Sequence, residues 1–285
     1  MYFDKFIGID WSGDKNNFQK GISVAECIKG NKVPQIVKPS DHKYWTRTTL
    51  IEWLYKEIKS QRNLIGFDFA FSYPFYDRCS YFPGIKDSPI NSEKLWKLIE
   101  DTNTNAKNFY GGEIWGSKTY GKFFNSPKLK GSHFASRRRC TERFAKKKIL
   151  SPSPTFNCVG PGSVGTGTLA GMRVLNSLKN KLNIWPFNND YMSNKSVLVE
   201  IFPTYYFRYT GVRPEKKLGY TLKSINKSLK FFNSDVLDEN TNIGGPDQDD
   251  ADAIISAAAL RFFSSQKDVW NVPRVSKKEG WIFGV

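Results

Sequence analysis

Asp10, Asp68 and Glu200 each stand in an apolar run: Ile7-Gly8-Ile9-Asp10, Ile65-Gly66-Phe67-Asp68-Phe69-Ala70 and Val197-Leu198-Val199-Glu200-Ile201-Phe202. A carboxylate buried in apolar surroundings is costly unless a counter-charge answers it. Aspartate is also a poor strand former. One structural salt bridge would explain one of these acids. Three runs with one acid each, near the run's end, call instead for a shared counter-ion. A divalent cation supplies it through oxygen ligands.

A fourth segment carries the same message. Asp247-Gln248-Asp249-Asp250-Ala251-Asp252-Ala253 opens a stretch continuing through Ile254, Ile255, Ala257, Ala258, Ala259 and Leu260. On a helix Asp249 and Asp252 lie about 60° apart on one face, and Asp250 points about 100° away from Asp249. The body of that helix is small or apolar nearly all round, the mark of a buried helix. Asp247, and with it Asp250, suits the helix start as a cap or a partner of the dipole. Such acids can hold two divalent ions roughly 3.5–4 Å apart, one activating a water and one stabilising the leaving oxygen of a phosphodiester. The expected ligand and catalytic set is Asp10, Asp68, Glu200, Asp249 and Asp252, with two Mg²⁺ or Mn²⁺ ions. Which of Asp68 and Glu200 is the inner ligand stays open.

The elements that must position these acids can be read from periodicity. Residues 6–10, 20–28 and 32–38 read as strands, the last two joined around Gly30-Asn31. Leu50, Ile51, Leu54 and Ile58 have helical spacing within 45–60, and 64–71 is a strand stopped by Pro74. Residues 75–155 break the rhythm and read as an insertion of loops and short helices, one over 92–100. A glycine-rich loop then runs into a helix over 156–179, followed by a strand at 196–202 closed by Pro203. Residues 226–237 are ambiguous, 246–263 are a helix, and 280–285 a last short strand. A three-strand antiparallel meander followed by parallel units is the RNase H arrangement, expected here as one α/β domain over 1–285 with the insertion at 75–155. In parallel sheets sites gather at the strands' C-terminal ends.

The chain resembles an uncharacterised family of predicted RNase H-like nucleases. The likeness is carried by IGIDWSG at 7–13, IGFDFAFSYP at 65–74, VEIFPT at 199–204 and DDADAIISAAA at 249–259. The loop VGPGSVGTGTLAGM at 159–172 and the ending EGWIFG at 279–284 add to it, so that it spans nearly the whole chain. The late D-x-x-D-A pattern is similar to that of Holliday-junction resolvases, where such acids are metal ligands. The resemblance implies metal-dependent nuclease activity. It departs in offering two central-strand acids where resolvases need one.

Two further segments suit phosphate. Gly160 to Thr168 exposes backbone N–H groups at a helix start, a good anion site without the GK[ST] of a P-loop. Ser12, Gly162, Ser163, Gly165, Thr166 and Thr168 are the candidates there, with Thr168 alternatively an N-cap. Between Lys128 and Lys148, Arg137, Arg138, Arg139 and Lys147 are interleaved with Phe134 and Phe144, as on surfaces that track a nucleic-acid backbone. The same run would also suit a solvated helix face.

The formal net charge is +16 with pI near 9.6, which fits a polyanionic partner such as DNA or RNA and equally fits a bias towards A/T-rich codons. Four scattered cysteines without a CxxC pair and two histidines argue against structural zinc and for reduced thiols. No apolar run reaches the roughly 18 residues of a membrane helix, and Met1 to Lys5 lack a leader pattern, so a cytoplasmic location is expected. The expected function is metal-dependent phosphodiester hydrolysis. The alternatives are an ATP-binding phosphotransferase of the actin and sugar-kinase class, which needs two copies of the fold, and a non-catalytic nucleic-acid-binding protein, which needs no buried acids.

Overall fold

Burial of both faces builds the central strands of this protein. A computed structural model describes residues 2–188, 194–245 and 248–285. Six strands, β1 (Lys5–Asp10), β2 (Ser23–Ile28), β3 (Gln35–Ile36), β4 (Asn63–Phe67), β5 (Asn183–Ile184) and β6 (Val197–Glu200), form one mixed sheet in the order β3-β2-β1-β4-β6-β5. The β1–β2 and β2–β3 pairs are antiparallel, and β1–β4, β4–β6 and β6–β5 are parallel. The helices are α1 (Arg47–Ser60), α2 (Ser92–Asp101), α3 (Cys140–Lys148), α4 (Gly165–Leu178), α5 (Pro203–Tyr209), α6 (Leu222–Phe231), α7 (Asp249–Ser264) and α8 (Ser276–Glu279).

Alternate strand residues serve two cores. Ile7, Ile9, Val24, Ile65, Phe67 and Leu198 pack with Leu50 and Leu54 of α1, Leu95 of α2 and Leu169 of α4. Phe6, Ala25, Leu64, Val197 and Val199 face the other way, onto Tyr205 of α5, Ile225 of α6 and the buried length of α7. Such coverage of both faces is why the strands read as apolar runs rather than alternating ones.

Small residues let α7 lie directly on the sheet. A Cβ added at Gly8 would stand 2.4 Å from the Ala253 carbonyl oxygen and 2.6 Å from the Ala257 nitrogen. Ala251 through Leu260 are all buried, in agreement with the all-round apolar pattern. α7 thus runs across the middle of the sheet with its N-terminal turn at the C-terminal end of β1.

Several expected bounds shift. The strand expected over 64–71 ends at Phe67, because the Phe69 N–H turns back to the Phe67 carbonyl at 3.0 Å. The ambiguous 226–237 region contains the end of α6, capped at its start by Thr221, whose hydroxyl accepts from Ser224 N–H. Residues 75–155 contribute α2, α3 and two 3₁₀ turns, and no strand of the sheet. The last strand expected at 280–285 is corrected: Ile282 makes one bridge to Glu200, and positive φ values at Gly280 (75°) and Gly284 (87°) bend the chain away on either side. Asp247 lies outside the described residues.

Gly8→Ala forces a methyl group into backbone atoms of α7 that cannot swing aside. We expect it to cost at least about 1–3 kcal/mol of stability, measured by urea unfolding.

Candidate metal centre

Register places the first two acids side by side. Ile9 pairs with Phe67, and the Asp68 N–H donates to the Ile9 carbonyl at 3.1 Å, so Asp10 and Asp68 leave adjacent parallel strands at the same level. By strand parity Asp10 continues the Phe6–Gly8 face and Asp68 the Leu64–Gly66 face, both on the α7 side. The N-terminal turn of α7 then brings Asp249 and Asp252 to them. Asp10, Asp68, Asp249 and Asp252 line one cavity of about 790 Å³ together with the 11–14 turn and the 162–167 loop.

Each acid is answered differently. Asp10 is buried and its Oδ1 accepts the Trp11 N–H at 3.0 Å. Burial, then the charges of Asp252, Asp68 and Asp249 and a hydrogen bond with Asp249, hold Asp10 well above the ordinary aspartate range. Burial and the neighbouring Glu200 charge push Asp68 up to about 7. Burial and the charges of Asp68 and Asp249 raise Asp252 in the same way. Asp252 is only 9% exposed, and its Oδ1 has no hydrogen-bond partner among the described residues. Asp250 points off the site as its helical angle requires: it accepts from Ser23 Oγ and lies 3.5 Å from Lys38 Nζ. That position makes it a partner of β2 rather than a cap.

Glu200 requires a correction. It pairs with Phe67 in register, and along β6 its side chain follows Leu198, on the sheet face opposite Asp10 and Asp68. There Arg139, 1% exposed, donates to both carboxylate oxygens, with Nη1 to Oε2 at 2.7 Å, and the Phe71 N–H donates to Oε2 at 3.0 Å. Glu200 borders the cavity, but an arginine already supplies its counter-charge. Asp68 is therefore the central-strand acid that shares the α7 side with Asp10.

The arginine run is also reassigned. Arg139 donates to Glu142 at 2.8 Å and to the Glu279 carbonyl at 3.0 Å. Arg137 is spent on Asp77 and on the Pro74, Ser80 and Tyr81 carbonyls, and Arg138 on Ser151 and the Pro152 carbonyl. These guanidiniums tie the insertion to itself and to the sheet; they are not a free phosphate-tracking stripe. Lys147 stays exposed on α3.

The glycine-rich loop does reach the acids. Trp11 Nε1 donates to the Gly167 carbonyl at 3.0 Å, and a Cβ on Gly13 would stand 2.3 Å from the Gly167 nitrogen. Ser12, Gly162, Ser163 and Thr166 line the cavity. Gly165 does not: its N–H is taken by the Asn157 carbonyl at 2.9 Å. Thr168 is corrected in both its roles, because α4 starts earlier, at Gly165, and leaves Thr168 fully buried in the first turn.

Arg47 escaped the sequence reading. It is fully buried and donates to the Ser12 and Asp14 carbonyls, each at 2.8 Å, and to the Asn108 carbonyl at 2.7 Å. It clamps the turn that follows Asp10. The available signal was its place at the head of the 47, 50, 51, 54 spacing, on the face of α1 that is buried.

Comparison of the chain with family models, with curated proteins and with solved structures gave no match. Among the described residues no three Asp, Glu, His or Cys side chains are grouped as a ready-made metal cage. The acids share a cavity without standing at coordination geometry. No helix of the described residues is long and apolar enough to cross a membrane.

Raised folded-state values for Asp10, Asp68 and Asp252 mean that the folded chain holds protons the unfolded chain releases. Their contribution to stability is greatest below the ordinary aspartate value and is lost as pH rises from about 4 towards 7 and beyond. Asp14 and Asp77, held low by their hydrogen bonds and charge partners against burial, act in the opposite sense only at lower pH. We expect a higher melting temperature at about pH 5 than at about pH 7.5 in EDTA, read by calorimetry, and a smaller gap with Mn²⁺ present. Arg139→Met, which strands Glu200 without a counter-charge, is expected to cost about 3–5 kcal/mol in urea unfolding.

Proposed function

We propose that this chain is a metal-dependent phosphodiester hydrolase acting on nucleic acid, built on an RNase H-like sheet. One observation carries the reading. Four aspartates from β1, the end of β4 and α7 face one cavity, and one of them, Asp252, keeps a buried oxygen that no group among the described residues satisfies. A carboxylate oxygen out of water and without a donor calls for a cation. The antiparallel β3-β2-β1 meander beside parallel β1, β4, β6 and β5 supports the RNase H-like assignment.

The fit to Mg²⁺ or Mn²⁺ is good in donor type, since both prefer carboxylate oxygens. Asp10, Asp68, Asp249 and Asp252 would hold the ions, which supply a hydroxide-like water and charge neutralisation at the leaving oxygen. The chain's own residues do the rest. Arg47 holds the 12–14 turn against the acids through two carbonyls. Arg139 keeps Glu200 facing away, so the site keeps four aspartates rather than five acids. The start of α4, with no side-chain cap, presents its first turn to the cavity beside Thr166 and Gly167, where a substrate phosphate would meet N–H groups.

Asp10→Asn and Asp252→Asn should abolish Mg²⁺- or Mn²⁺-dependent cleavage of labelled oligonucleotides while raising the melting temperature in EDTA, because carboxylate repulsion is relieved. Glu200→Gln should keep the metal-induced rise in melting temperature that Asp68→Asn loses. Wild-type protein with no such rise and no cleavage would overturn the reading.

A further inference from the structure

A second groove opens beside the acid cavity, on the β2–β3 side. It encloses about 480 Å³ and is lined by Lys20, Lys38 and Lys43, with Asp249 and Asp250 at its inner end. Asp249 lines both spaces, so the groove and the acid cavity meet at the first turn of α7. All three lysines are exposed. Unlike Arg137 and Arg139, they are not spent inside the protein.

The two acids at the inner end do not cancel this charge. Asp250 is already answered by Ser23 and by Lys38 at 3.5 Å. The Lys38–Asp250 contact joins two exposed groups, is worth little, and yields easily to a phosphate. Asp249 also lines the acid cavity, where its charge acts on Asp10.

Aromatic rings stand among the lysines. His42 and Tyr44 line the groove, and Phe18, 44% exposed, packs edge-on against His42 with ring centroids 5.0 Å apart. Phe18 adjoins the groove through His42, and part of its ring is open for something to cover. A nucleobase does so by stacking while its flanking phosphates meet the lysines. A duplex hides its base faces within its own stack, and only an unpaired strand offers them.

We infer that this groove binds a single-stranded polynucleotide and leads it to the acids. The inference rests on the hydrolase reading for what happens at the inner end, but strand binding itself needs no metal. A strand whose phosphate lies among Asp10, Asp68, Asp249 and Asp252 leaves the cavity past Asp249, crosses Lys38 and Lys43, and stacks a base on Phe18 beside His42. The substrate class is then an unpaired strand or flap rather than a continuous duplex.

The test is fluorescence anisotropy in EDTA on the whole chain, with labelled strands of about 20 nucleotides, as DNA and as RNA, and the blunt duplex of the same sequence. Phe18→Ala should weaken single-strand binding roughly five- to hundredfold and leave duplex binding unchanged. The Lys38→Ala/Lys43→Ala double variant should weaken it most at low salt and flatten the log–log salt slope by about 1.4, from about 0.7 per lost phosphate contact. Lys146→Ala/Lys148→Ala, on α3 outside the groove, should change neither. Whichever of DNA and RNA binds more tightly identifies the natural strand. A duplex bound as tightly as both single strands, or groove variants with unchanged affinity and slope, overturns the inference. The Mn²⁺-induced rise in melting temperature, measured on the same variants, reports on the acid site alone. Its persistence while strand binding fails removes the groove only, and its absence while strand binding holds removes only the metal reading.

Discussion

Carboxylates that share a desolvated cavity repel one another and lose their hydration together, and this is the constraint the rest of the structure answers. Each buried, unanswered charge costs several kcal/mol. The protein nonetheless gathers Asp10, Asp68, Asp249 and Asp252 where one cavity reaches all of them. It does so through backbone approach. α7 can lie on β1 only because Gly8 faces Ala253 and Ala257, and that contact carries the α7 acids to the end of β1. Any side chain at Gly8 would lift the helix and open the site.

The positive charge of the chain is divided between two tasks. Arginines work inside: Arg139 on Glu200 and Glu142, Arg137 on the 74–81 loop, Arg47 on the turn after Asp10. Their planar forks satisfy several acceptors at once, which suits buried sites. Lys20, Lys38 and Lys43 stay outside, their compact charges hydrated, and gather at one mouth of the acid cavity. A net charge of +16 alone does not separate these roles.

Much of the fold was legible because burial on two faces leaves long apolar runs. β1, β4, β6, α1, α2 and α7 all fall within or close to their expected spans. Short edge elements were less so. β5, two residues long, and α5, seven residues long and opening on Pro203, carry no periodicity long enough to register. The expected strand at 280–285 failed for a local reason, since two glycines at positive φ break the extended run. The acids on β1 and α7 were legible by residue type and by angle on the helix. The arginine run misled because three adjacent arginines read alike in sequence, whatever each one meets.

What the sequence by itself determined is the set of acids out of place in apolar runs and the pairing of Asp249 with Asp252 on one helical face. Both follow from local chemistry and a helical period of about 3.6 residues. Only the tertiary structure decided which of Asp68 and Glu200 stands beside Asp10. Strand parity turns on inter-strand register, and a one-residue offset sends a side chain to the opposite face of the sheet. Glu200 pairs with Phe67 rather than with Asp68, so it faces Arg139 across the sheet from Asp10, and Asp68 remains beside Asp10.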